Sequence, residues 1–478
     1  MAVTEVSVRC SRYLLLLAQE HLDFRLPELK ALFSIFGANF EYDRITSPET
    51  EPFLVVKNVD EETVRKVMTR TVCAKSAYEI WGTGRTFDEL ITSLRTYPKH
   101  RMSPFCRADS TFKISVHAFN KTLLQTDRLN KIEALSFLPW GGKVDLSAPD
   151  HTFCLLENYA GDVNNIPKDP CQVFFGRWLA DGQRDLIRRY SIKTRHFIGN
   201  TSMDATLSFI MANHARVKHQ DVVFDPFVGT GSLLVACAHY GAYVTGGDID
   251  YNTIHGIGKA SRRNQVWRGP DESIKSNLCQ YGLQDRYLDV FVGDASCPPW
   301  REGPLFNAII TDPPYGVREA TRRTRPRKGR MSDAPDVRFP ECSAYHLRDI
   351  FTDLLDFAVE QLEIGGRLVY WIPVYIPEYS EEIIPKHPCL SLISNCQQKL
   401  TSNTARRLIT MEKVKGFEAR CHVPRPLDVE CDPYKRHNAF REKYFSGVTA
   451  RSKLNEKGKQ WKHLMAVSTQ TSTGHSAC

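Results

Sequence analysis

Four short apolar runs in the second half of the chain each lead into a carboxylate or a glycine turn. They are Val222–Phe224 before Asp225, Tyr243–Gly247 before Asp248, Leu288–Val292 before Gly293-Asp294, and Ala308–Ile310 before Asp312. The last run stops there because Pro313 has no N–H group with which to continue a ladder of hydrogen bonds. Runs of this length predict buried strands, so the sequence predicts acids at the carboxyl ends of several strands of one α/β sheet.

The pattern changes on either side of these runs. Helical spacing over Ile350–Leu362, followed by Gly365-Gly366, predicts a helix that ends at the glycines. A strand over Arg367–Ile372 and a hairpin of Leu390–Ser394 with Arg407–Met411 are expected after it. In the first 190 residues, strand patterns at Tyr13–Ala18, Phe53–Val56, Phe112–His117 and Phe153–Glu157 alternate with helical patterns at Leu26–Phe36 and Lys131–Phe137. That mixture predicts a small α+β binding region without cofactor glycines.

A glycine turn, Gly229-Thr-Gly231, follows the first apolar run and opens a helix. Glycine is needed where a backbone passes close to a cofactor, and a helix amino end offers unpaired N–H groups. No Gly-Lys-Ser/Thr follows, so a P-loop is not favoured, and a plain tight turn is the alternative. Asp248 lies about 20 residues beyond the glycines, where doubly wound folds place the ribose-binding acid. Asp294 is expected in reach of an adenine amino group, and Asp250 is a candidate helix cap.

The turn Asp312-Pro313-Pro314-Tyr315 suits chemistry on the amino group of a flat base. Such an amine is a poor nucleophile because its lone pair is delocalised into the ring. The Asp312 carboxylate and the Pro313 carbonyl would hold its N–H groups and free that lone pair, while Tyr315 stacks on the base. The alternative is a Pro-Pro turn that only ends a buried strand.

Together the motifs resemble those of a known group of enzymes. Asp225-Pro-Phe-Val-Gly-Thr-Gly231, Gly247-Asp-Ile-Asp250, Gly293-Asp294 and Asp312-Pro-Pro-Tyr-Gly316 resemble the successive motifs of S-adenosylmethionine-dependent amino-methyltransferases that act on nucleic acids. The stretch Arg195–Asp204 is similar to that of the tRNA guanine-N2-methyltransferases that modify guanosine at tRNA position ten, in particular the eukaryotic catalytic subunit. Val144–Glu157 resembles part of a THUMP domain, an RNA-binding module, although a scaffold role is the alternative.

The resemblance implies a Rossmann-like α/β methyltransferase domain preceded by an α+β THUMP-type region. Its implied catalytic residues are Asp312, Pro313, Pro314 and Tyr315. The residues expected to bind S-adenosylmethionine are Thr201, Asp225, Phe227, Gly229, Gly231, Asp248 and Asp294, with Thr201 on the cofactor's carboxylate. The resemblance also implies a heterodimer with a small zinc-binding activator subunit, for which an uncovered terminal strand is a plausible docking edge. No metal ligands are expected in this chain itself.

The net charge of +8 is modest, so its distribution matters more than its total. The densest basic run spans residues 318–330, directly after the Pro-Pro-Tyr turn, and a second basic region precedes the methyltransferase motifs. Cations there would meet phosphates that flank a base held at Asp312, although a solvated loop or a localisation signal is the alternative. The expected RNA contacts are Arg195, Arg318, Arg322, Arg323, Arg325 and Arg327.

These observations divide the chain into five parts. They are an N-terminal α+β domain (1–70), a THUMP-like domain (71–176), a linker (177–195), a methyltransferase domain (196–415) and a basic tail expected to be flexible (416–478). The 14 cysteines include no Cys-x-x-Cys pair, and the amino end lacks a basic region before an apolar core. Reduced thiols and a cytoplasmic location are therefore expected, with no membrane contact.

The expected function is methyl transfer to the N2 amine of a guanosine in tRNA. An adenine-N6 methyltransferase is the first alternative because the same turn suits that amine. A glutamine-N5 methyltransferase is less favoured, since the usual first residue of its motif is Asn. A catalytically silent RNA-binding protein is the alternative from another class. Methylation at carbon 5 of a pyrimidine needs a cysteine nucleophile and is disfavoured. Cys171 and Cys389 do not lie on a strand-end turn beside the cofactor motifs, and Cys297 precedes its prolines.

Overall fold

The computed structural model describes residues 11–43, 51–159, 165–317, 321–325, 341–416, 440, 443 and 444. It divides into two compact units, Met1–Ser191 and Ile192–Cys478. No helix in these described ranges is long and apolar enough to cross a membrane.

The first unit contains eight strands and six helices among its described residues. The strands are β1 (Tyr13–Leu17), β2 (Glu41–Tyr42), β3 (Phe53–Lys57), β4 (Ala74–Gly84), β5 (Thr111–Phe119), β6 (Lys143–Val144), β7 (His151–Asn158) and β8 (Gln172–Asp181). The helices are α1 (Arg25–Ile35), α2 (Glu61–Met68), α3 (Phe87–Thr96), α4 (Lys99–Met102), α5 (Gln125–Glu133) and α6 (Asp185–Arg189), with 3-10 turns at Leu22–Phe24 and Ser103–Phe105. The mixed α+β character predicted from the sequence is therefore confirmed.

All eight strands form one sheet, in the order β2-β3-β1-β4-β8-β7-β5-β6. Because β1 pairs with β4, the expected boundary between residues 70 and 71 lies inside a continuous sheet. The expected linker also needs correction, since residues 177–181 belong to β8 and pair with β4. The helix expected over Lys131–Phe137 starts earlier, at Gln125, and ends at Glu133. After it, the N–H groups of Leu135, Ser136 and Leu138 donate to carbonyls three residues back, which is the tighter pattern of turns.

The second unit carries the methyltransferase motifs. Its strands are β9 (Val222–Asp225), β10 (Tyr243–Asp248), β11 (Tyr287–Val292), β12 (Phe306–Thr311), β13 (Arg322–Arg325), β14 (Glu341–Ala344), β15 (Leu362–Tyr375), β16 (Leu390–Lys399) and β17 (Thr404–Lys413). Its helices are α7 (Ala205–His214), α8 (Ser232–His239), α9 (Tyr251–Ile254), α10 (Ile274–Gln280) and α11 (Leu347–Gln361), with 3-10 turns at Gln284–Arg286, Ile376–Glu378 and Glu381–Ile383.

Seven of these strands form a sheet in the order β11-β10-β9-β12-β15-β17-β16. Strands β11, β10, β9, β12 and β15 are parallel, and β17 runs antiparallel to β15 and β16. The chain proceeds outward from β9 to β11 on one side and from β12 to β15 on the other. The switch point therefore lies between β9 and β12, where ligands bind in open α/β sheets. Asp225 and Asp312 lie at the ends of these two strands.

Two predictions about the end of this sheet have different outcomes. The hairpin of β16 with β17 is confirmed. Gly365-Gly366 does not end α11, because that helix ends at Gln361 and β15 begins at Leu362. The glycines serve a bulge instead: the register with β12 shifts there, Gly365 has φ +83°, and a Cβ on Gly366 would lie 2.8 Å from the Asn307 carbonyl.

Candidate active site

A cleft of about 1110 Å³ lies at the switch point of the second unit's sheet. It is lined by every predicted catalytic and cofactor-binding residue except Gly231, namely Asp312, Pro313, Pro314, Tyr315, Thr201, Asp225, Phe227, Gly229, Asp248 and Asp294. Residues that are more than 100 positions apart in the sequence thus meet in one cavity. Of the expected RNA contacts, Arg322 also lines it.

Asp312 follows the last residue of β12 and has 24% of its side chain exposed. Its Oδ2 accepts a hydrogen bond from Nη1 of Arg406 at 3.0 Å, and its Oδ1 accepts one from the hydroxyl of Tyr315. Burial raises the pKa of this carboxyl group, and Arg406 and Tyr315 partly oppose that shift. The carboxylate is therefore held from two sides while a part of it stays open to the cleft.

Tyr315 lies partly buried against the core, and its hydroxyl is committed to Asp312. Burial and the neighbouring carboxylate raise the pKa of this phenol far above its usual value, so it remains protonated and donates. Its ring lines the cleft beside Asp312, as base stacking would require.

The two glycines of the turn after β9 have different tasks. Gly229 has φ +48°, a Cβ there would find no atom within 4 Å, and its N–H donates to Oδ2 of Asp248 at 2.9 Å. Gly231 has φ +73° and is the N-cap of α8, but a Cβ there would lie 2.7 Å from Ile274 Cγ2. Gly231 thus serves the turn and the packing against α10, and its expected contact with the cofactor stays a prediction.

Asp225 is 2% exposed and orders the turn from within. It accepts hydrogen bonds from Oγ1 of Thr311 at 2.6 Å and from the N–H of Phe227 at 3.0 Å. Burial raises the pKa of Asp225 to about 7, and the negative charges of Asp248 and Asp312 contribute to the rise. The acid at the end of β9 therefore orders the start of the glycine turn through buried hydrogen bonds.

Asp248 and Asp250 divide the roles that the sequence left open. Asp248 accepts hydrogen bonds from the N–H groups of Gly229 and Asp250, each at 2.9 Å, and burial raises its pKa. Asp250 caps α9 by accepting from the N–H of Asn252 at 3.0 Å, so the helix-cap interpretation of Asp250 is confirmed. Asp248 lines the cleft where the ribose-binding acid was expected.

Asp294 is surrounded by hydrogen-bond donors. Its Oδ1 accepts from the N–H and Oγ of Ser296 at 2.8 and 2.7 Å, and its Oδ2 accepts from the N–H and Oγ1 of Thr324 at 2.5 and 2.7 Å. Burial acts to raise the pKa of Asp294, but these hydrogen bonds outweigh it and lower the pKa. Asp294 is therefore ionised and rigidly placed at the cleft wall.

The expected RNA contacts fall into separate groups. Arg195 is 1% exposed and donates to Oγ of Ser232 at 2.9 Å, so it supports α8 and does not fit the expected phosphate contact. Arg322 is exposed at the cleft, whereas Arg323 lies 3.6 Å from Asp349 and 5.7 Å from the ring centre of Tyr345. For Arg325 the structure describes the backbone in β13, and Arg318 and Arg327 lie outside the described residues. Within β13, alternate side chains thus face the cleft and α11.

Arg406, Phe440 and Tyr444 are among the cleft residues that sequence reasoning missed. Arg406 contacts Asp312 from β17, and an arginine pair inside an apolar strand pattern was its one sign. Phe440 and Tyr444 also line the cleft, and Phe440 is 3% exposed. Their spacing of four residues in the polar tail is that of one helix face. The described residues of the tail thus contribute to the cleft, while its other residues lie outside the described part.

Both units are similar to known proteins. Residues 11–184 match the family model of the Tmrp11 THUMP N-terminal domain, and residues 193–327 match that of the RMKL-like methyltransferase domain. The tRNA (guanine(10)-N(2))-methyltransferase TRMT11 of Mus musculus is 60% identical over 450 residues, covering 94% of this chain and 98% of the relative. That of Homo sapiens is 58% identical over 461 residues (95% and 99%), and that of Dictyostelium discoideum is 35% identical over 438 residues (86% and 84%). Among solved structures, TrmN from Thermus thermophilus is 15% identical with a TM-score of 0.40, covering 84% of this chain and 100% of that one, a score too low to bear on function.

Proposed function

We propose, because the chain belongs to the family of tRNA (guanine(10)-N(2))-methyltransferases, that it transfers a methyl group to the exocyclic N2 amine of a guanosine in tRNA. The observation that carries the proposal onto this chain's own residues is the position of Asp312. Its carboxylate lies at the switch point, partly open to the cleft, in a turn whose Pro313 is buried and whose Tyr315 lines the same cavity. Position ten of the tRNA is the site that the relatives' shared name gives.

The residues of the turn act on the amine as follows. Asp312 and the Pro313 carbonyl accept the two N–H bonds of guanine N2, which draws the nitrogen towards a tetrahedral geometry and frees its lone pair. Tyr315 supports one face of the base, so that the amine stays in line with the methyl donor. After transfer the nitrogen bears the methyl group, its two original protons and a positive charge, and one of these protons passes to Asp312, the carboxylate that already accepts its N–H bond.

S-adenosylmethionine is the proposed methyl donor, and the residues of the cleft fit it. Gly229 leaves space for a close approach, Asp248 faces the cleft for the ribose hydroxyls, and Asp294 lies where the adenine amino group was expected. Thr201 would take the carboxylate. When bound, the sulfonium supplies an already electrophilic methyl group, so the protein needs only positioning and negative charge around it.

tRNA and a small zinc-binding activator subunit are the proposed partners. The first unit, which matches a THUMP N-terminal domain, would bind a part of the tRNA other than the methylated guanosine. The activator would dock on β11, a terminal strand of the second sheet that exposes Leu288 and Val292. We expect the complex in the cytoplasm, and cell fractionation followed by immunoblotting would test that expectation.

Methyl transfer by purified protein tests the proposal. Unmodified tRNA and labelled S-adenosylmethionine are incubated with the chain, alone and with the activator, and the nucleosides are separated by chromatography. Label in N2-methylguanosine supports the proposal, and a tRNA with adenosine at position ten is the control that should lose it. Label in N6-methyladenosine would establish the adenine alternative instead. Cofactor binding without any transfer would favour the silent RNA-binding protein.

A further inference from the structure

We propose that Arg406 is a positioning residue for methyl transfer, which fixes the direction of the Asp312 carboxylate and compensates its charge inside the cleft. The inference rests on the proposed function and adds a residue that no catalytic motif of the sequence contains.

The sheet topology explains how Arg406 reaches the site. Parallel strands deliver their carboxyl ends to the catalytic edge, so an antiparallel strand delivers its amino end there. β17 is antiparallel to β15 and starts at Thr404, two residues before Arg406. Arg406, near the start of β17, therefore meets Asp312, which follows β12. The two residues are 94 positions apart in the sequence.

Four contacts hold the guanidinium group of Arg406. Its Nη1 donates to Oδ2 of Asp312 at 3.0 Å and its Nε donates to Oε1 of Gln398 at 2.7 Å. Gln398 is the residue directly opposite on β16. The Cζ atom lies 4.1 Å from the ring centre of Trp371, and Nη2 contacts Sδ of Met203 at 3.4 Å. With its end so fixed, the guanidinium has little freedom to follow Asp312, so Asp312 must orient to it.

The balance of charge also favours a functional role. Only 13% of the Arg406 side chain is exposed. Removing both charges of this ion pair from water costs more free energy than forming an ion pair at the surface would. Asp312 faces the hydroxyl of Tyr315 and the guanidinium of Arg406. Arg406 is also attracted by the charge of Asp204 at the start of α7. Removing Arg406 would leave the buried carboxylate of Asp312 without a cation, and the Tyr315 hydroxyl would be the remaining one of these two partners.

The consequence for chemistry follows from the two oxygens of Asp312. Each one already accepts a single hydrogen bond, from Arg406 or from Tyr315, and each keeps a lone pair for the substrate. The amine of guanine must therefore approach from the direction that these partners leave open. A neutral Asp312 would offer a donor where an acceptor is needed, so the reaction requires its ionised form.

The test compares Arg406→Gln and Arg406→Lys with Arg407→Gln as matched control. Arg407 is the next residue of β17, contacts Asn395 and Gln397, and lies 4.2 Å from the ring centre of Tyr379, away from the cleft. For each protein, kcat and KM for tRNA and S-adenosylmethionine are measured from pH 5 to 9, and cofactor affinity is measured by calorimetry.

For Arg406→Gln we expect kcat at pH 7 to fall about 10- to 100-fold, since a positioned charged hydrogen bond is lost. The acidic limb of its kcat profile should move up by about one pH unit, because a neighbouring cation lowers a carboxyl pKa by that amount or more. Cofactor affinity should stay within about twofold of the wild-type value, because the cleft of this variant should remain folded. Arg406→Lys should keep the limb near its wild-type position with a smaller loss of kcat, and Arg407→Gln should resemble the wild type.

Two outcomes would overturn the inference, and they are distinguishable. In the first outcome the wild type is active, the acidic limb of the kcat profile is unshifted in Arg406→Gln, and Arg407→Gln loses as much kcat as Arg406→Gln does. Arg406 would then have only a structural role. A wild type that makes no N2-methylguanosine would refute the proposed function itself. If Arg406→Gln proved insoluble, Arg406→Lys would decide, since an unchanged kcat in that variant contradicts the need for a fixed guanidinium.

Discussion

Thr324 donates two hydrogen bonds to Oδ2 of Asp294, one from its backbone N–H at 2.5 Å and one from Oγ1 at 2.7 Å. Thr324 belongs to β13, the strand that carries Arg322 to the cleft, and Asp294 lines the same cleft. One carboxylate thus anchors the arginine-bearing strand and faces the expected adenine site. A substitution at Asp294 should therefore alter the position of β13, and a substitution at Thr324 should alter the position of the Asp294 carboxylate.

Thr324→Val should therefore weaken the binding of both substrates, tRNA and S-adenosylmethionine. It removes one hydrogen bond to a charged acceptor, worth about 1.5–3 kcal/mol. We expect KM to rise several-fold for tRNA and for S-adenosylmethionine, with a smaller change in kcat. Ser343→Ala on the partner strand β14 is the control, because the Ser343 hydroxyl is buried without a hydrogen-bond partner among the described residues. Equal effects of the two variants would contradict the anchoring role of Asp294.

Arg322 and Arg323 are adjacent in sequence but should differ in RNA binding. Arg322 is exposed at the cleft, whereas Arg323 is paired with Asp349 of α11. Arg322→Gln should weaken tRNA binding and reduce the slope of log affinity against log salt by about one counterion. Arg323→Gln should leave that slope nearly unchanged. Fluorescence anisotropy titrations at several salt concentrations would show the difference, and the reverse ranking would assign the phosphate contact to Arg323.

Asp312→Ala should abolish most methyl transfer while leaving the cofactor bound. We expect kcat to fall at least about 100- to 1000-fold, the scale at which positioned catalytic groups contribute. Since burial raises the Asp312 pKa and the ionised form is active, the wild-type rate should decrease with falling pH at a higher pH than for an ordinary aspartate. Single-turnover rates across pH, with calorimetry of cofactor binding, provide the measurement. Substantial turnover by the alanine variant would remove Asp312 from the mechanism.

Asp225→Asn should change how stability depends on pH. The folded-state pKa of Asp225 is raised to about 7 from 3.8, so the folded protein binds this proton more tightly than the unfolded chain does. The resulting stability is complete below the unfolded pKa and is lost as pH rises towards 7. The asparagine keeps an oxygen for Thr311 and Phe227 and carries no charge. As pH rises from 4 to 7.5, the free energy of unfolding of Asp225→Asn should increase relative to that of the wild type by up to about 4 kcal/mol.

Urea denaturation followed by fluorescence at several pH values would measure this difference. The control is Asp285→Asn, which changes an acid in a 3-10 turn whose residues are not buried. A difference between Asp225→Asn and the wild type that stayed constant with pH would show that Asp225 is ionised throughout.

The inner parallel strands β9, β10 and β12 were predictable because such strands are buried on both faces and appear as apolar runs. β11 is a strand as predicted, but it lies at the edge of the sheet and exposes Leu288 and Val292, so the prediction that this run is buried was wrong. Asp225, Asp248 and Asp312 could be placed at one edge for the same reason, since each acid directly follows such a run. Arg406 could not, because its contact with Asp312 depends on the pairing order of β12, β15 and β17. The spacing of apolar and polar residues within one segment does not indicate that pairing order.

Two differences between the sequence predictions and the structure have a common cause in distant parts of the fold. Gly365-Gly366 resembles a helix stop in sequence, yet the same two residues serve a bulge where β15 passes close to β12. Arg195 was grouped with RNA contacts because charge density alone does not distinguish an exposed arginine from one that donates to a buried serine. Both distinctions depend on which distant strand or helix lies against the residue.

The two terminal strands of the catalytic sheet provide a matched test of activator docking. β11 exposes Leu288 and Val292, and β16 at the opposite edge exposes Leu392 and Ile393. We expect Leu288→Lys with Val292→Lys to abolish co-purification with the activator, because charged side chains on an edge strand prevent pairing and remove apolar contact. Leu392→Lys with Ile393→Lys should leave the complex intact. Size-exclusion chromatography after co-expression would measure both, with circular dichroism to check folding. Loss of the complex only in the β16 variant would place the activator on the opposite edge.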